Sequence, residues 1–516
     1  MNKKTSIILL IVIGFILYFN IFFNGFVWDD EEFIINNPAI QSVLNIPSFY
    51  LNQSNDIGGA SFSNIYYRPV TSTFITLIYS LLGPTPFFFH LFQISFHIIN
   101  AILIYLVFSY FFKKPKSLPF FLASIFLVHP ANVEAIAWMS AIEVLFFLFG
   151  IVGFYLFLQK GLDSFKKSSL VFLFVLASFL TKETGIVFFA IIFFYYLLFE
   201  KKGFQYYFSF TSVILFLYLI IRIATNNLYG EGGGIFPIMN VSFLTRMMTV
   251  PKIVFYYISM FFFPKDLVIS QQWVIKSLDI NNFWIPLSFM FLFLLLCSFY
   301  IYKTKNKVFS FFFIWFCIGL LPHLQIIPLN MTVAERWLYF PIVGLLGMIA
   351  VIIQKVKVKL LIPIFIVLLT LLFVQSFIRT FNWRNNISLF SHDLKFHKDA
   401  FDLENNYGYA LFKLGKIDEA GPHFIKSVKL EPKWWSNWNN LGAYYERKGN
   451  LKKAEECYKR SIDNSDYYLA YRNYASILIR QGKIDDAREF LEQKALPRFP
   501  QNKDLQYLYI NNFESK

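Results

Sequence analysis

The feature that most constrains this chain is a succession of long segments without charged residues, running from near the N-terminus to about residue 380. A helix that crosses a membrane needs about 20 mostly apolar residues, because lipid offers no partner for backbone polar groups. Hydrophobic residues make up 56% of the chain and charged residues only 15%, which a soluble globule could not accommodate. The sequence therefore predicts an all-α protein in which residues 1–380 form a polytopic membrane helix bundle.

Short lysine clusters between the apolar segments predict the orientation of the bundle, since cytoplasmic loops carry an excess of Lys and Arg. The clusters lie at Lys3–Lys4, Lys113–Lys116, Lys160–Lys167, Lys201–Lys202, Lys303–Lys307 and Lys355–Lys359. Alternation of sides predicts about 11 spans, with the N-terminus in the cytoplasm and residues 381–516 outside. The segment Arg246–Pro264 contains Pro251 and Lys252 and is interpreted as interfacial or partly inserted, so whether it spans stays open.

The distribution of charge across the predicted membrane indicates a site on the outer face. Of the 14 acids that precede residue 381, the predicted topology places 12 on the external side, together with all five arginines. A proton or ion pump would instead carry carboxylates near the middle of the membrane. The net charge of +15 comes from scattered lysine clusters rather than from one basic face, which excludes nucleic acid as a partner. We therefore expect an external site for a polar, anionic ligand.

Residues 381–516 form a separate, polar region with an internal repeat. Three glycines, Gly415, Gly449 and Gly482, recur at spacings of 34 and 33 residues, and Ala420, Ala454 and Ala487 recur at the same spacings. The tetratricopeptide repeat has a period of 34 residues and consists of two antiparallel helices. The spacing predicts an external α-solenoid of three such repeats, at about 401–434, 435–467 and 468–500, with flanking helices.

Several aromatic residues of the second repeat are candidates for contacts with an acceptor. Stacked repeats form a concave surface that suits extended peptides. The candidates are Trp434, Trp435, Trp438 and Tyr445. The alternative is that these side chains belong to the core between helices, which is the usual role of aromatics at helical spacing.

Acidic residues at the outer edge of the membrane are candidates for a catalytic role. Asp29 and Asp30 follow the first apolar segment directly, where a low dielectric raises the pKa of a carboxyl group toward that of a useful base. Asp30 is favoured over Asp29 because it lies one residue farther from the helix, but the choice stays open. Glu134 is a third candidate, with a helix-capping acid as its alternative. The alternative for the aspartates is a solvated acidic run over Asp29–Glu32.

Three external cations are candidates for binding a phosphate. Lys182, Arg336 and Arg68 each lie beside a predicted span, and an arginine can contact a phosphate through two N–H groups at once. The alternative is a simple ion pair at the interface, which contributes little to stability. We expect no metal ion, because the acids lack the spacing of a metal-binding motif. We also expect no phosphate loop at Gly230–Gly234, because the segment lacks the GK[ST] sequence.

These motifs, taken in order along nearly the whole chain, resemble the transmembrane-and-tetratricopeptide-repeat O-mannosyltransferases, which are glycosyltransferases of the GT-C fold. The matching segments are Asp29-Asp30 followed by Ile34-Ile35-Asn36-Asn37, Tyr67-Arg68-Pro69-Val70, Phe89-His90-Leu91 with His97, Val128-His129-Pro130 with Glu134-Ala135, Lys182-Glu183, and Ala334-Glu335-Arg336-Trp337-Leu338-Tyr339. One position departs from the family, which commonly has an arginine two residues before the acid at Glu143. The chain has Ala141 there, and its repeat array is short for the family.

The resemblance implies a GT-C-like membrane domain and an inverting transfer at the outer face of the membrane, which we expect to be the cytoplasmic membrane of a bacterium. A monosaccharide would pass from a polyprenyl-phosphate carrier to a hydroxyl of an exported acceptor, namely a protein Ser/Thr, held through the tetratricopeptide repeats. Asp29 or Asp30 would act as the base, Glu134 would orient the base or the acceptor, and Arg336, Lys182 and Arg68 would hold the donor phosphate. The alternatives are a membrane scaffold that carries tetratricopeptide repeats and an enzyme like the O-antigen ligases or polymerases. The sugar, the acceptor and the oligomeric state stay open.

Overall fold

The computed structural model describes residues 2–51, 67–159, 165–199, 211–212, 216, 236–500 and 502–514. Their regular structure is helical apart from one antiparallel bridge between Gln271 and Val333, which confirms the predicted all-α class for this part of the chain. The chain divides into two compact units, Met1–Asn385 and Asn386–Lys516. The predicted span at residues 203–221, the cluster Lys201–Lys202 and Lys160 lie outside the described residues.

The α-helices of the first unit are numbered in chain order over its described residues. They are α1 (Lys3–Tyr18), α2 (Ile46–Leu51), α3 (Pro69–Leu82), α4 (Pro86–Phe111), α5 (Leu118–Val128), α6 (Val133–Ala137), α7 (Glu143–Leu158), α8 (Phe165–Thr181), α9 (Val187–Phe199), α10 (Phe243–Phe262), α11 (Ile285–Thr304), α12 (Lys307–Leu320), α13 (Pro341–Ile353) and α14 (Val358–Asn382). The last of them continues beyond residue 380, where we predicted the end of the membrane part.

Four described helices are long and apolar enough to cross a membrane: Lys3–Phe23, Pro86–Phe111, Ile280–Thr304 and Lys359–Asn382. The pair Leu118–Val128 and Pro130–Ala137 passes the same test together but is bent by 52°. Six more apolar helices of the described part are shorter, with 10–17 residues each. The structure thus agrees with a polytopic protein, while the count of about 11 spans stays a prediction.

Glycines allow close approach of α12 and α13 at the core of the first unit. A Cβ atom added to Gly347 would lie 2.1 Å from the ring of Phe312, and one added to Gly344 would lie 2.5 Å from the backbone nitrogen of Phe316. Helices inside a membrane associate through such small residues, because van der Waals packing replaces the hydrophobic effect there. The fully buried Trp315 fills the same interface and donates a hydrogen bond to the carbonyl of Phe340 (3.1 Å).

Most of the segment Arg246–Pro264, whose span status the sequence left open, belongs to α10, which ends at Phe262. Ser242 caps this helix by accepting a hydrogen bond from the backbone N–H of Thr245 (3.2 Å), and Pro251 lies inside it. Lys252 donates a hydrogen bond to Asn282 (2.7 Å), so the cation has a polar partner. The helix is not among the long apolar helices that could cross a membrane.

The second unit consists of antiparallel helix pairs. Its described helices are α15 (Asn386–Phe396), α16 (Phe401–Lys413), α17 (Ile417–Leu430), α18 (Trp435–Arg447), α19 (Leu451–Asn464), α20 (Tyr468–Arg480), α21 (Ile484–Phe490), α22 (Leu496–Arg498) and α23 (Lys503–Tyr509). The turn inside each pair contains one of the glycines that define the repeat: Gly415, Gly449 and Gly482 have φ values of +76°, +77° and +77°. Only glycine adopts this conformation without strain, so the sequence period marks these turns.

We expect a fragment comprising residues 386–516 to fold by itself. Its helices share continuous cores, in which Ala420, Phe424 and Leu441 form one cluster and Tyr471, Ala475 and Leu491 form another, and stacked repeats are stabilised by such neighbour contacts. The fragment should be soluble and helical by circular dichroism and should unfold cooperatively. Gly442→Val should lower the midpoint of unfolding of the fragment, because a Cβ atom at this position would lie 2.7 Å from the ring of Tyr458. A disordered fragment would contradict an autonomous domain.

Candidate active site

A left-handed turn places two aspartates after the first apolar helix. Trp28 has a φ of +55°, a conformation that residues other than glycine rarely adopt and that clusters at functional sites. Asp30 is fully buried. Its Oδ1 accepts hydrogen bonds from the backbone N–H (2.8 Å) and the hydroxyl (2.6 Å) of Ser140, and its Oδ2 accepts one from the N–H of Val27 (3.1 Å). Asp30 therefore ties this turn to the segment that precedes α7.

Asp29 differs from Asp30 in its accessibility and its partners. The residue is partly exposed, and no group in the described ranges donates a hydrogen bond to its carboxylate. Desolvation by the surrounding protein, followed by the charge of Asp30, raises the pKa of Asp29 to about 7, although the positive charge of Arg336 acts in the opposite direction. Burial raises the pKa of Asp30 to about 6, against the hydrogen bonds that it accepts. Asp29 is thus the more exposed residue of the two and the one whose carboxylate has no hydrogen-bond donor in the described ranges.

A buried cluster of two acids and two cations lies beside the aspartates. Glu134 accepts a hydrogen bond from the backbone N–H of Arg336 (2.9 Å) through Oε2 and pairs with Nη1 of its guanidinium through Oε1. Glu143 lies 3.6 Å from Nε of Arg336 and also pairs with the ammonium of Lys182. We call Glu134, Glu143, Lys182 and Arg336 the charge cluster. Glu134, Glu143 and Arg336 are buried, the side chain of Lys182 is 11% exposed, and each acid has a cation as its partner.

Aromatic rings enclose the guanidinium of Arg336. Its Cζ lies 4.8 Å from the ring centre of Trp138 and 5.7 Å from that of Trp337, distances at which a cation is attracted to the face of a ring. Trp28 stacks on Trp138 with ring centres 4.6 Å apart. These indoles exclude water from the cluster, and electrostatic interactions are stronger where water is excluded.

Arg68, the third predicted cation, forms a separate and more exposed ion pair. Its Nε and Nη2 lie 3.1 and 3.0 Å from the same oxygen, Oε2, of Glu183. The side chains are 22% and 31% exposed, whereas that of Arg336 is 8% exposed. Of the three predicted cations, Lys182 and Arg336 therefore share Glu143 as a partner. Arg68 pairs instead with Glu183, the residue next to Lys182, on the more exposed side of the charge cluster.

Polar residues on one face of α4 hold the broken helices that carry the cluster. Gln93 donates a hydrogen bond to the carbonyl of Ala141 (2.8 Å), and Asn100 donates one to the carbonyl of Val144 (3.0 Å). His97 contacts the hydroxyl of Tyr339 (2.7 Å) and the carbonyl of Leu127 (3.1 Å). A break in a membrane helix frees backbone carbonyls, which need such partners. This face of α4 positions the segments that contain Glu134, Glu143 and Arg336.

The predicted acceptor-binding aromatics of the second unit serve mainly as packing. Trp434 and Trp435 are each 8% exposed and lie against Phe401 and Tyr467, with ring centres 5.1 and 4.0 Å apart. The other two candidates, Trp438 and Tyr445, are partly buried and pack against the repeat core. Trp438 also donates a hydrogen bond to the carbonyl of Pro432 (2.7 Å). Contacts between repeats account for Trp434 and Trp435, so we do not propose them as acceptor ligands.

Sequence reasoning missed several residues of the site. Glu143 bridges Lys182 and Arg336, Ser140 holds Asp30, and Trp138 covers Arg336. The sequence did carry a signal for Glu143, because an acid at the start of an apolar segment, without the family's arginine two residues before it, needs a cation from elsewhere in the fold. Ser140 and Trp138 carried no comparable signal.

The residues that the structure describes contain no group of three or more His, Cys, Asp or Glu arranged to hold a metal ion. The fold and the site define a helical protein of membrane type with a C-terminal tetratricopeptide-repeat unit and a buried cluster of acids and cations. Comparison with known sequences gives the same division. The family model of the tetratricopeptide repeat matches residues 405–433 and 436–466.

The chain is similar to several curated protein O-mannosyltransferases. It is 23% identical over 523 residues to the human protein O-mannosyl-transferase TMTC3, covering 89% of this chain and 55% of the relative. It is 25% identical over 453 residues to the Caenorhabditis elegans protein O-mannosyl-transferase F38B6.6, covering 83% and 63%. Human TMTC1 is 31% identical over 183 residues, covering 32% and 20%. These relatives confirm the resemblance to the transmembrane-and-tetratricopeptide-repeat O-mannosyltransferases, although the chain spans little more than half the length of human TMTC3.

Proposed function

We propose that this protein is a GT-C-type glycosyltransferase that moves a monosaccharide from a polyprenyl-phosphate carrier to a hydroxyl of an exported polypeptide. The observation that supports it most directly is the pairing of an accessible carboxyl group with a pKa of about 7, on Asp29, and a buried arginine beside it. A transfer to a hydroxyl needs a base and a group that stabilises the departing phosphate. The three relatives described above are named protein O-mannosyl-transferases, which supports a sugar donor and a protein acceptor.

In the proposed reaction, Asp29 takes the proton of the acceptor hydroxyl while the oxygen attacks C1 of the sugar. The bond between C1 and the phosphate oxygen breaks, and the electron pair leaves with the polyprenyl phosphate, so the configuration at C1 inverts. The transition state is oxocarbenium-like, as in other glycosyl transfers with a carboxylate base. Lys182 and Arg336 stabilise the second negative charge that the phosphate acquires.

The acids of the charge cluster and Asp30 have different roles in this mechanism. Glu134 engages both the backbone and the side chain of Arg336, so we assign it to holding the arginine rather than to contacting the acceptor. Glu143 holds Lys182 close to Arg336. Asp30 is engaged by Ser140 and Val27 and positions the turn that presents Asp29. The choice of Asp29 as the base reverses the preference that the sequence alone suggested.

The proposal places the protein in the cytoplasmic membrane of a bacterium, with the site and the tetratricopeptide repeats on the external side. A reporter that is active only outside the cytoplasm should be active when fused after Lys516 and silent when fused after Lys305. This follows because the cluster Lys303–Lys307 marks a cytoplasmic loop. The reverse pattern of activity would place the charge cluster on the cytoplasmic side and exclude a donor presented outside.

The test of the activity is transfer of label in membranes that contain the full chain. Membranes incubated with radiolabelled polyprenyl-phosphate mannose and an exported Ser/Thr-rich polypeptide should label the polypeptide. Membranes with the Asp29→Asn variant at equal protein level should not, whereas those with Glu31→Gln should. Parallel incubations with other polyprenyl-phosphate sugars identify the monosaccharide. The scaffold alternative predicts no labelling by any of these donors, and an enzyme like the O-antigen ligases predicts label in lipid-linked glycan rather than in polypeptide.

A further inference from the structure

Three polar atoms around Arg336 have no oxygen partner in the part of the chain that the structure describes. The indole nitrogen of Trp138 and Nδ1 of His323 are buried and make no hydrogen bond. Nη2 of Arg336 donates a hydrogen bond to the sulfur of Met331, at 3.9 Å, and a thioether is a weak acceptor. The other guanidinium nitrogens face Glu134 and Glu143. The indole of Trp138 lies against the guanidinium of Arg336, with 4.8 Å between its ring centre and Cζ, so unused hydrogen-bonding capacity lies beside the charge cluster.

His323, at the end of the segment after α12, belongs to this surrounding of Arg336. Its ring stacks on that of Trp337, with ring centres 4.6 Å apart and an angle of 11° between the planes. It is 7% exposed, and the positive charges of Lys182 and Arg336 both act on it. Sequence reasoning did not single it out.

The segment that follows His323 is held firmly, so the imidazole has a fixed position. Gln325 has a φ of +58° and is fully buried. Its side-chain amide donates hydrogen bonds to the carbonyls of Met331 (2.7 Å) and Thr332 (3.0 Å). Binding groups that are fixed in advance lose little entropy when a ligand arrives.

A purely structural role does not account for these atoms. A buried polar group without a partner costs about 1–3 kcal/mol, and a phenyl ring would stack on Trp337 without that cost. The indole of Trp138 and Nη2 of Arg336 can only donate hydrogen bonds, the ammonium of Lys182 can only donate, and an imidazole always has a donor nitrogen. A ligand that satisfies such a set must offer several acceptor oxygens close together, as a phosphate does and a sugar hydroxyl does not.

We propose that His323 and Trp138 donate hydrogen bonds to the phosphate of the lipid-linked donor and complete, with Arg336 and Lys182, a phosphate subsite. This inference rests on the proposed function and names two residues that bind its substrate. As the bond from C1 to the phosphate oxygen breaks, the phosphate gains a negative charge. The hydrogen bonds from these N–H groups, which are charge-assisted already in the singly charged donor, then become stronger. His323 and Trp138 thus favour the departing phosphate without transferring a proton.

The test compares ligand binding by the purified full chain and its variants in detergent. The ligands are a short-chain polyprenyl phosphate, the polyprenol of the same length, and inorganic phosphate. His323→Phe keeps the ring that stacks on Trp337 and removes both nitrogens, and His323→Gln restores an N–H donor. The matched control is His90→Phe, because His90 is another fully buried histidine that stands outside the charge cluster.

We expect His323→Phe to weaken binding of polyprenyl phosphate about tenfold, the change that corresponds to about 1.4 kcal/mol, and to leave binding of polyprenol unchanged. His323→Gln should recover part of the loss, and His90→Phe should bind as the unaltered protein does. A loss of binding confined to polyprenyl phosphate shows that His323 recognises the phosphate as part of the lipid. An equal loss for inorganic phosphate shows that the phosphate alone is enough for recognition by His323. Unchanged binding by His323→Phe, or an equal loss of polyprenol, would overturn the subsite.

The same variants separate this inference from the proposed function. In a transfer assay His323→Phe should raise the KM for the lipid-linked donor and leave the KM for the acceptor unchanged. If the protein binds polyprenyl phosphate in a His323-dependent way but transfers no sugar, the subsite stands and the transferase fails. If sugar is transferred with the same donor KM in His323→Phe, the transferase stands and the subsite fails.

Discussion

Asp29→Asn should reduce sugar transfer by about 10²–10⁴-fold, the usual effect of removing a general base. The amide keeps the size of the side chain but cannot accept the proton of the acceptor hydroxyl. Binding of the lipid-linked donor should survive, because Asp29 makes no hydrogen bond with the charge cluster in the described structure. The measurement is the initial rate of transfer by purified protein, with donor binding measured separately.

The same residue predicts the pH dependence of the reaction. Since the pKa of Asp29 is raised to about 7 and a base must be deprotonated to act, kcat/KM should fall as the pH drops below 7. The fall should approach about tenfold per pH unit. In the Asp29→Asn variant, this acidic limb of the pH profile should be absent and the residual rate should not change with pH. The Glu31→Gln variant, altered two residues further along the same acidic run, should retain the limb. A limb that persists in Asp29→Asn would assign the titration to another group, with Asp30 as the first candidate.

Arg336→Met should destabilise the protein by about 3–5 kcal/mol, because it leaves the carboxylate of Glu134 buried without a cation. Glu134 is fully buried and takes two contacts from this arginine. The measurement is thermal or denaturant unfolding in detergent. Lys416→Met, in an exposed pair with Glu419 whose side chains are 51% and 59% exposed, should change stability by less than about 1 kcal/mol.

Two further variants separate the structural role of Arg336 from its role in transfer. Adding Glu134→Gln to Arg336→Met should recover part of the stability, because it removes the buried charge, but should not restore transfer. Arg336→Lys keeps one charge but cannot face Glu134 and Glu143 together, so we expect a folded protein with weakened donor use. An Arg336→Met protein that unfolds like the unaltered chain would contradict the stabilising role of the cluster.

The class of the fold followed from features that are local in sequence. Charge-free segments near 20 residues have few alternatives to membrane helices, and a 34-residue spacing of glycine and alanine repeats the same helical turn. Both signals can be recognised along the chain without knowledge of tertiary contacts, and the helices and the turns at Gly415, Gly449 and Gly482 agree with them. The number of spans did not follow as firmly, because many of the apolar helices are shorter than a membrane is thick.

The sequence by itself also selected Asp29, Glu134, Lys182 and Arg336 as residues of interest, since charges at the edge of apolar segments are rare. It could not pair them. Glu134 and Arg336 are 202 positions apart, and Glu143, whose role the sequence left undetermined, meets both cations only in the folded protein. The difference between Asp29 and Asp30 also depends on the folded protein, because Ser140 contacts the carboxylate of the buried Asp30, while Asp29 is partly exposed. Ion pairing and pKa depend on distances and on the exclusion of water, and tertiary structure alone sets both.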